Sequence, residues 1–412
     1  MKRLLKGLIV VVGLVLLTGV SFGAGVFVST ANLLTPCIIR TAEQPPQFAI
    51  FWQAWNLVQK NFVDRTALDP TQLAYGATRG MVEALGDTGH SGFLTPQEKT
   101  QQATSISGSF TGIGAQMDIK DGLPMMTPID GSPAIKAGIK AGDILLRVNG
   151  EDVTTTPLSE IVSKVRGPAG TTVQLTIVRP SDNKTYEFSI VRSAINVPAA
   201  TWAMVPGRHI ALIRLSQFSQ NAERDILAGI EGAKQANATG LIIDVRNDPG
   251  GLLDQAVKVT SQFVKDGNVL LDEDAYGKRT PFPVQSGGQA LDLPLVVLIN
   301  PGTASAAEIF AGAIQDHKRG QVVGETTFGT GTVLEPFPLA DGSELLLGVK
   351  QWLTPNGRLI RKQGIKPDIE VKLPLGSDLL TPDEIKTLTP DALSKQADAQ
   401  LLKALSLLPA NP

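Results

Sequence analysis

Apolar positions recur along this chain with two different periods, and the changes between them divide it into parts. Leu8 to Val28 is almost continuously apolar, within an uncharged stretch from Gly7 to Ile39 that follows Lys2, Arg3 and Lys6. About twenty apolar residues suffice to span a bilayer, and a basic flank marks the cytoplasmic side. The pattern predicts an uncleaved membrane anchor with a cytoplasmic N-terminus and the remaining domains on the extracytoplasmic side. A cleaved signal peptide, cut near Ser21-Phe22-Gly23-Ala24-Gly25, and a lipid-modified Cys37 are the alternatives, although Pro36 suits a lipoprotein cleavage site poorly. After a polar linker from Thr41 to Gln47 the spacing becomes helical: Phe48, Phe51, Trp52, Trp55, Val58, then Leu73, Ala77, Met81, Val82 and Leu85. Such a stripe predicts core packing for the aromatics.

From Ala199 the pattern alternates strand, helix, strand. His209 to Leu215 reads as a strand, Asn221 to Ala236 as an amphipathic helix, and Thr239 to Val245 as a buried strand ending in Asp248-Pro249-Gly250-Gly251. A helix from Leu252 to Val264, a strand from Leu293 to Ile299 and a helix carrying Ser305 follow. Parallel strands with crossover helices gather loops and helix N-termini at one sheet edge, where ligands collect. Ser305 follows an Asn-Pro-Gly turn and is flanked by Ala304, Ala306 and Ala307, which leave its hydroxyl uncovered. A serine at a helix start can use helix-end N–H groups to hold a developing oxyanion. The polar tail from Ser377 ends in an apolar period (Leu401, Leu402, Ala404, Leu405, Leu408), an amphipathic helix that suits docking on the core or on a second chain.

Composition narrows the function classes. A net charge of −2 with interspersed signs shows no nucleic-acid footprint. One cysteine excludes an internal disulfide, and three scattered histidines make a structural zinc site improbable, so no metal or cofactor is expected.

Residues 107–197 resemble a PDZ module. Phe110-Thr111-Gly112-Ile113-Gly114-Ala115 is similar to its carboxylate-binding loop, with Gly112, Ile113 and Gly114 as the peptide-binding residues. Ser132-Pro133-Ala134, the run Ala137 to Leu145 and Val148-Asn149-Gly150 resemble its central helix, turn and strand, and Leu158 to Val165 its groove helix. Such a module receives an extended peptide at a sheet edge and its terminal carboxylate on glycine-rich N–H groups. A PDZ fold that binds no peptide and only packs on its neighbour is the alternative.

Almost everything after the apolar segment resembles the C-terminal processing peptidases, or tail-specific proteases, which use a serine–lysine pair. The motifs are Leu241 to Leu253, the Ser305 helix, Gly324-Glu325-Thr326-Thr327-Phe328-Gly329-Thr330-Gly331, and Leu353 to Asp368. The resemblance implies an α/β chain: a ClpP/crotonase-like protease core with an inserted PDZ domain, and an N-terminal helical segment after a membrane anchor. The implied divisions are 1–40, 41–106, 107–197, 198–375 and 376–412. Ser305 falls on the family's nucleophile, and Gly251 and Ala306 on its oxyanion hole. The general-base lysine is replaced by Thr330 and the glutamine that orients it by Leu334.

Threonine cannot activate serine, because its hydroxyl is no more basic than the one it would deprotonate. Losing one member of a catalytic unit costs roughly four to six decades in rate. His317 is a poor substitute, since twelve helical residues put it about 18 Å from Ser305. Lys350 and Lys362 on the closing strands read as surface residues. His90, in Gly86-Asp87-Thr88-Gly89-His90-Ser91-Gly92-Phe93-Leu94, reads as a loop residue before a packed Phe-Leu. The expectation is a membrane-anchored endopeptidase homologue that recognises protein C-termini, with weak or absent catalysis. The alternative is a pseudopeptidase acting as a peptide-binding adaptor or regulatory subunit, alone or in a homo- or hetero-oligomer.

Overall fold

The structure is a computed structural model that describes residues 45–409 apart from 88–89, 121, 130 and 375–376. The apolar segment expected to be an anchor lies outside the described residues. Among those described, no helix is long and apolar enough to cross a membrane.

The chain divides into two compact units, residues 1–73 and 74–412. The described part of the first is built on the helix Phe48–Asn61 and a short 3-10 turn, Arg65–Ala67, capped by the Asp64 carboxylate on the Thr66 N–H at 2.9 Å. No residue of Phe48–Asn61 is buried, which corrects the core-packing expectation. Its aromatics lean on one another instead, Phe51 against Trp52 at 5.1 Å and Trp52 against Trp55 at 6.4 Å.

In the second unit a PDZ sheet holds the strands Ala115–Lys120, Leu123–Pro128, Asp143–Val148, Thr172–Arg179 and Lys184–Val191, all antiparallel. Alternate residues face one way along a strand, so Val173, Leu175 and Ile177 enter one core with Met126, Leu145 and Ile161 of the groove helix Leu158–Val165. Ser132 caps the short helix Pro133–Ala137, and Gly138 ends it at a φ of 98°.

The remaining core is a six-stranded sheet in the order Ala200–Met204, Ile210–Leu215, Gly240–Asp244, Leu295–Ile299, Gln321–Gly324, Ile369–Glu370. Only the first pair is antiparallel. Gly240–Asp244 and Leu295–Ile299 are buried throughout, as central parallel strands must be when both faces are covered. One face packs on helices Ala222–Gln235, Leu253–Ser261 and Ala306–Asp316. The other is covered by the tail: Ile385, Leu393, Leu401 and Leu405 pack on Leu212, Ile242 and Leu298. The tail therefore docks on its own core.

A buried ion pair fastens it there. Arg246, fully buried, forks onto Asp244 (2.8 and 2.9 Å) and onto Asp398 (2.8 and 2.9 Å). Asp398 also caps the helix Ala399–Leu407 through the Leu401 N–H at 3.0 Å. A second sheet, formed by Gly92–Leu94, Thr332–Pro338, Glu344–Leu353, Asn268–Glu273 and Arg279–Pro283, carries the loop that faces Ser305.

Candidate active site

Two loops leave adjacent parallel strands and are tied to each other before either reaches Ser305. Asn300 accepts the Asn247 N–H at 2.9 Å and donates its side-chain amide to the Asn247 side-chain oxygen at 2.7 Å. The buried Thr303 hydroxyl donates to the Val245 carbonyl at 2.8 Å, and the Ala304 N–H to the Asp248 carbonyl at 2.9 Å. Fixed in this way, Ser305 opens the helix Ala306–Asp316 with φ 54° and ψ −117°, a region that side-chain-bearing residues rarely occupy. A conformation of this kind costs of order 1–3 kcal/mol and persists only where the surroundings enforce it.

The glycine loop is the counterpart. A Cβ on Gly250 would lie 2.7 Å from the Ala304 carbonyl, the Ala306 nitrogen and the Ser305 Cβ, so only glycine lets the two loops meet. Phe218 pins the loop from the other side: its N–H donates to the Gly250 carbonyl and its carbonyl accepts the Leu252 N–H, each at 2.8 Å. Among the described residues no protein acceptor takes the N–H of Gly251 or of Ala306. Two uncommitted amides flanking a strained serine are the arrangement that holds an oxyanion.

Two buried acids shape the site. Asp248 accepts the Gly250 N–H at 2.7 Å on one oxygen, and its other oxygen has no partner. Burial, reinforced by the charge of Asp244, pushes its carboxyl well above the usual range and so favours the neutral form. Glu308 is also fully buried but well satisfied. It accepts from the Ser305, Gly329 and Thr330 N–H groups at 2.9, 2.6 and 3.0 Å, and from the Thr327 and Thr330 hydroxyls at 2.5 and 2.6 Å.

The sequence comparisons agree with this architecture. A model of peptidase family S41 matches residues 209–371 and a PDZ-domain model residues 126–179. The chain is 35% identical over 366 residues to a carboxy-terminal-processing protease of Bartonella bacilliformis, covering 86% of this chain and 82% of the relative. It is 34% identical over 385 residues to a carboxyl-terminal-processing protease of Synechocystis, covering 86% and 90%. This chain belongs to the carboxy-terminal processing protease family. Among solved structures it is similar to the photosystem II D1 C-terminal processing protease, 27% identical with a TM-score of 0.48, over 84% of this chain and 98% of that one.

Within the processing-protease fold, Thr330 stands against Ser305. Its hydroxyl donates to Glu308 and accepts the Ser305 N–H at 2.7 Å, so it braces the serine's backbone and holds no base. Leu334 lies half-buried on Thr332–Pro338, opposite Gly348. Lys350 is bound to Asp272 at 2.7 Å, and that bond raises its pKa, which keeps it a cation rather than a base. Lys362 is exposed, and its backbone N–H donates to the Gly329 carbonyl at 2.7 Å. His317 closes the far end of the serine helix on the Asn268 carbonyl at 2.7 Å. His209 precedes Ile210–Leu215, at the sheet edge opposite Ser305.

His90 is different, because the fold brings its Nδ1 into hydrogen-bonding contact with the Thr332 hydroxyl, two residues after Thr330. The loop reading drawn from sequence gave no hint of that contact.

Gly112, Ile113 and Gly114 are buried, with the Ile113 and Gly114 carbonyls taken by the Ala134 and Ile129 N–H groups at 2.8 and 2.9 Å. Beside them opens a cleft of about 1130 Å³ whose lining includes Phe110, Leu158, Val162 and Arg166 of the PDZ module, Gln101 of the helix Pro96–Ser107, and Gln217. The Arg166 guanidinium sits 5.0 Å over the Phe110 ring. The contribution of Gln101 and Gln217 was not visible in sequence. The i, i+4 spacing of Leu158 and Val162 was the available signal for the groove wall.

Proposed function

We propose that this chain is a serine endopeptidase acting on protein C-terminal tails captured by its PDZ module, and that it does not use a serine–lysine dyad. The observation that carries this reading is Ser305 itself: a strained serine wedged against Gly250, with the Gly251 and Ala306 amides left for an oxyanion. Strain of this kind has no packing benefit that a relaxed residue would lack. Ser305 is the nucleophile in this reading, and Gly251 and Ala306 hold the tetrahedral intermediate on a ClpP/crotonase-like scaffold. The apolar segment Leu8–Val28 with its basic flank supports a membrane anchor that keeps the domains extracytoplasmic. The exposed apolar helix Phe48–Asn61, with Ile50 at 74% exposure, supports association with a further surface or subunit.

A second reading, the pseudopeptidase, is favoured by Thr330 and Leu334, which remove the family's base and its orienter. In that reading the cleft captures tails without cutting them. The test is turnover of an unfolded protein with an apolar C-terminus, together with covalent labelling by a fluorophosphonate. The peptidase reading expects both, and expects Ser305→Ala to abolish both. Tail binding with neither labelling nor turnover would establish the adaptor.

A further inference from the structure

We propose that Asp398 of the C-terminal tail is a positioning residue for the site. Through Arg246 it sets the loops that carry Gly251 and Ser305, so that docking of the tail and competence of the serine are coupled. The inference rests on the peptidase reading of Ser305 and adds to it the groups that hold the oxyanion loop in place.

Arg246 is the junction. A guanidinium has five N–H donors, and each has an acceptor here. Two go to Asp244, from Nε at 2.9 Å and from Nη2 at 2.8 Å. The other three go to the tail: two to Asp398 at 2.8 and 2.9 Å, and one to Gln400 at 3.1 Å. Asp398 is equally committed. Each of its oxygens accepts one Arg246 bond and one backbone N–H, from Leu401 at 3.0 Å and from Leu380 at 3.1 Å. Arg246, Asp244 and Gln400 are 0% exposed and Asp398 is 1% exposed, so bulk water does not compete for these bonds.

The backbone on either side of Arg246 holds the serine. The Val245 carbonyl accepts the Thr303 hydroxyl at 2.8 Å, and the Asp248 carbonyl accepts the Ala304 N–H at 2.9 Å. Thr303 and Ala304 lead directly into Ser305. Downstream, the Asp248 carboxyl accepts the N–H of Gly250, the residue fitted against the Ser305 Cβ, at 2.7 Å. The tail meets the third loop as well. Gln400 donates to the Val371 carbonyl at 2.8 Å and lies 3.5 Å from Glu325 Oε2, at the start of the loop that brings Thr330 to Ser305. The start of the tail helix Ala399–Leu407 thus holds two of the loops around the serine, from the face of the sheet opposite the serine helix.

Fastening the tail does not need such a cluster. Ile385, Leu393, Leu401 and Leu405 already dock it, and a buried ion pair adds little stability over apolar packing. What fully matched, directional bonds add is a single arrangement of the groups they join. An asparagine at position 398 would set an NH2 group against donors on one side, the Arg246 guanidinium among them. Arg246 would then move toward its remaining acceptors and carry the Val245 and Asp248 carbonyls with it. A 1 Å misplacement near the chemistry costs about 10²-fold in rate.

The test compares the full chain with Asp398→Asn, Gln400→Leu and Leu393→Ala. Leu393 is buried in the same tail but makes none of these bonds. Urea unfolding gives the stability of each protein. The fluorophosphonate labelling rate, kcat and KM are read without urea, where the folded form prevails, and hydrogen exchange by mass spectrometry reads residues 245–252. Asp398→Asn should lower kcat and labelling at least about tenfold with KM little changed, and should speed exchange across 245–252. Gln400→Leu removes one tail bond and should show the same pattern more weakly, which covers an Asp398→Asn chain that does not fold. Leu393→Ala should lower the unfolding midpoint and leave labelling within about twofold of wild type, since its folded form keeps the clamp. If labelling instead follows the unfolding midpoint alike in all three variants, the role is structural and the positioning assignment is overturned. Unchanged exchange across 245–252 in Asp398→Asn and Gln400→Leu overturns it whether or not the wild type is active. A wild type that neither labels nor turns over overturns the peptidase reading, while faster exchange in Asp398→Asn would still support the hold of the tail on the loop.

Discussion

Gly250→Ala probes how closely the glycine loop and the serine loop are fitted. The added methyl would stand 2.7 Å from the Ala304 carbonyl, the Ala306 nitrogen and the Ser305 Cβ. Two of these contacts are backbone atoms, which cannot swing aside as a flexible side chain would. The residue also has φ 92°, where an L side chain costs roughly 1–2 kcal/mol. Overpacking a close-fitted contact adds about 1–3 kcal/mol. Together these give a loss of about 2–5 kcal/mol if the loops stay in place, and less if they part. Parting would move the Gly251 amide relative to Ser305, and a 1 Å misplacement near the chemistry costs about 10²-fold. The variant therefore has to lose stability, labelling rate, or some of each. Urea unfolding read by tryptophan fluorescence gives the first quantity, and the pseudo-first-order rate of fluorophosphonate labelling the second. A Gly250→Ala protein with wild-type midpoint and labelling rate would refute the close approach itself. Gly277→Ala is the control, because nothing lies within 4 Å of its Cβ, although its positive φ leaves the conformational cost.

Removing one partner of the buried tail clamp should be severe: Asp398→Ala leaves Arg246 half-paired with no exposure and is expected to cost about 3–5 kcal/mol, measured by urea unfolding. The pH dependence of Asp248 has an unusual sign. Its folded pKa is raised, so above about pH 4 the unfolded chain holds fewer protons than the native one, and stability falls as pH rises toward the folded pKa. Asp248→Asn removes that slope, so its unfolding midpoint should gain on the wild type as pH rises above the ordinary carboxylate range. Parallel pH profiles for the two proteins would show that Asp248 is ionised in the native state.

What the sequence made legible was what neighbours along the chain decide. The strand Leu295–Ile299, the turn at Asn300 and the start of the serine helix follow from apolar runs and turn residues, and each lies within a few residues of its prediction. Gly250 and Gly251 were legible only through the family resemblance, since a paired glycine after a buried strand is by itself as consistent with a mere turn. The aromatic stripe of Phe48–Asn61 misled, because helical spacing reports that a face is apolar and not what covers it. The tail left two partners open, and Arg246 reaching Asp398 across 152 residues identifies the core as the one it takes.

The base of the site shows the limit most clearly. Read along the chain, Thr330 is a subtraction: a hydroxyl where an amine is needed, and hence an inert serine. That inference assumes that a base must come from the same loop. In the fold, Thr330 has a role of its own, bracing the Ser305 N–H while its hydroxyl satisfies Glu308. A lysine there would bring a second buried charge beside Glu308 and would lose the hydroxyl that holds the serine's backbone. The same loop meets a partner that is remote along the chain, since the histidine that touches Thr332 lies 242 residues away in sequence. No spacing rule links positions 90 and 332; only the pairing of Gly92–Leu94 with Glu344–Leu353, and of that strand with Thr332–Pro338, brings them together. Thr330 is thus a brace for the backbone of Ser305, and disrupting the second sheet that carries its loop should loosen the serine without touching the strand and turn that precede it.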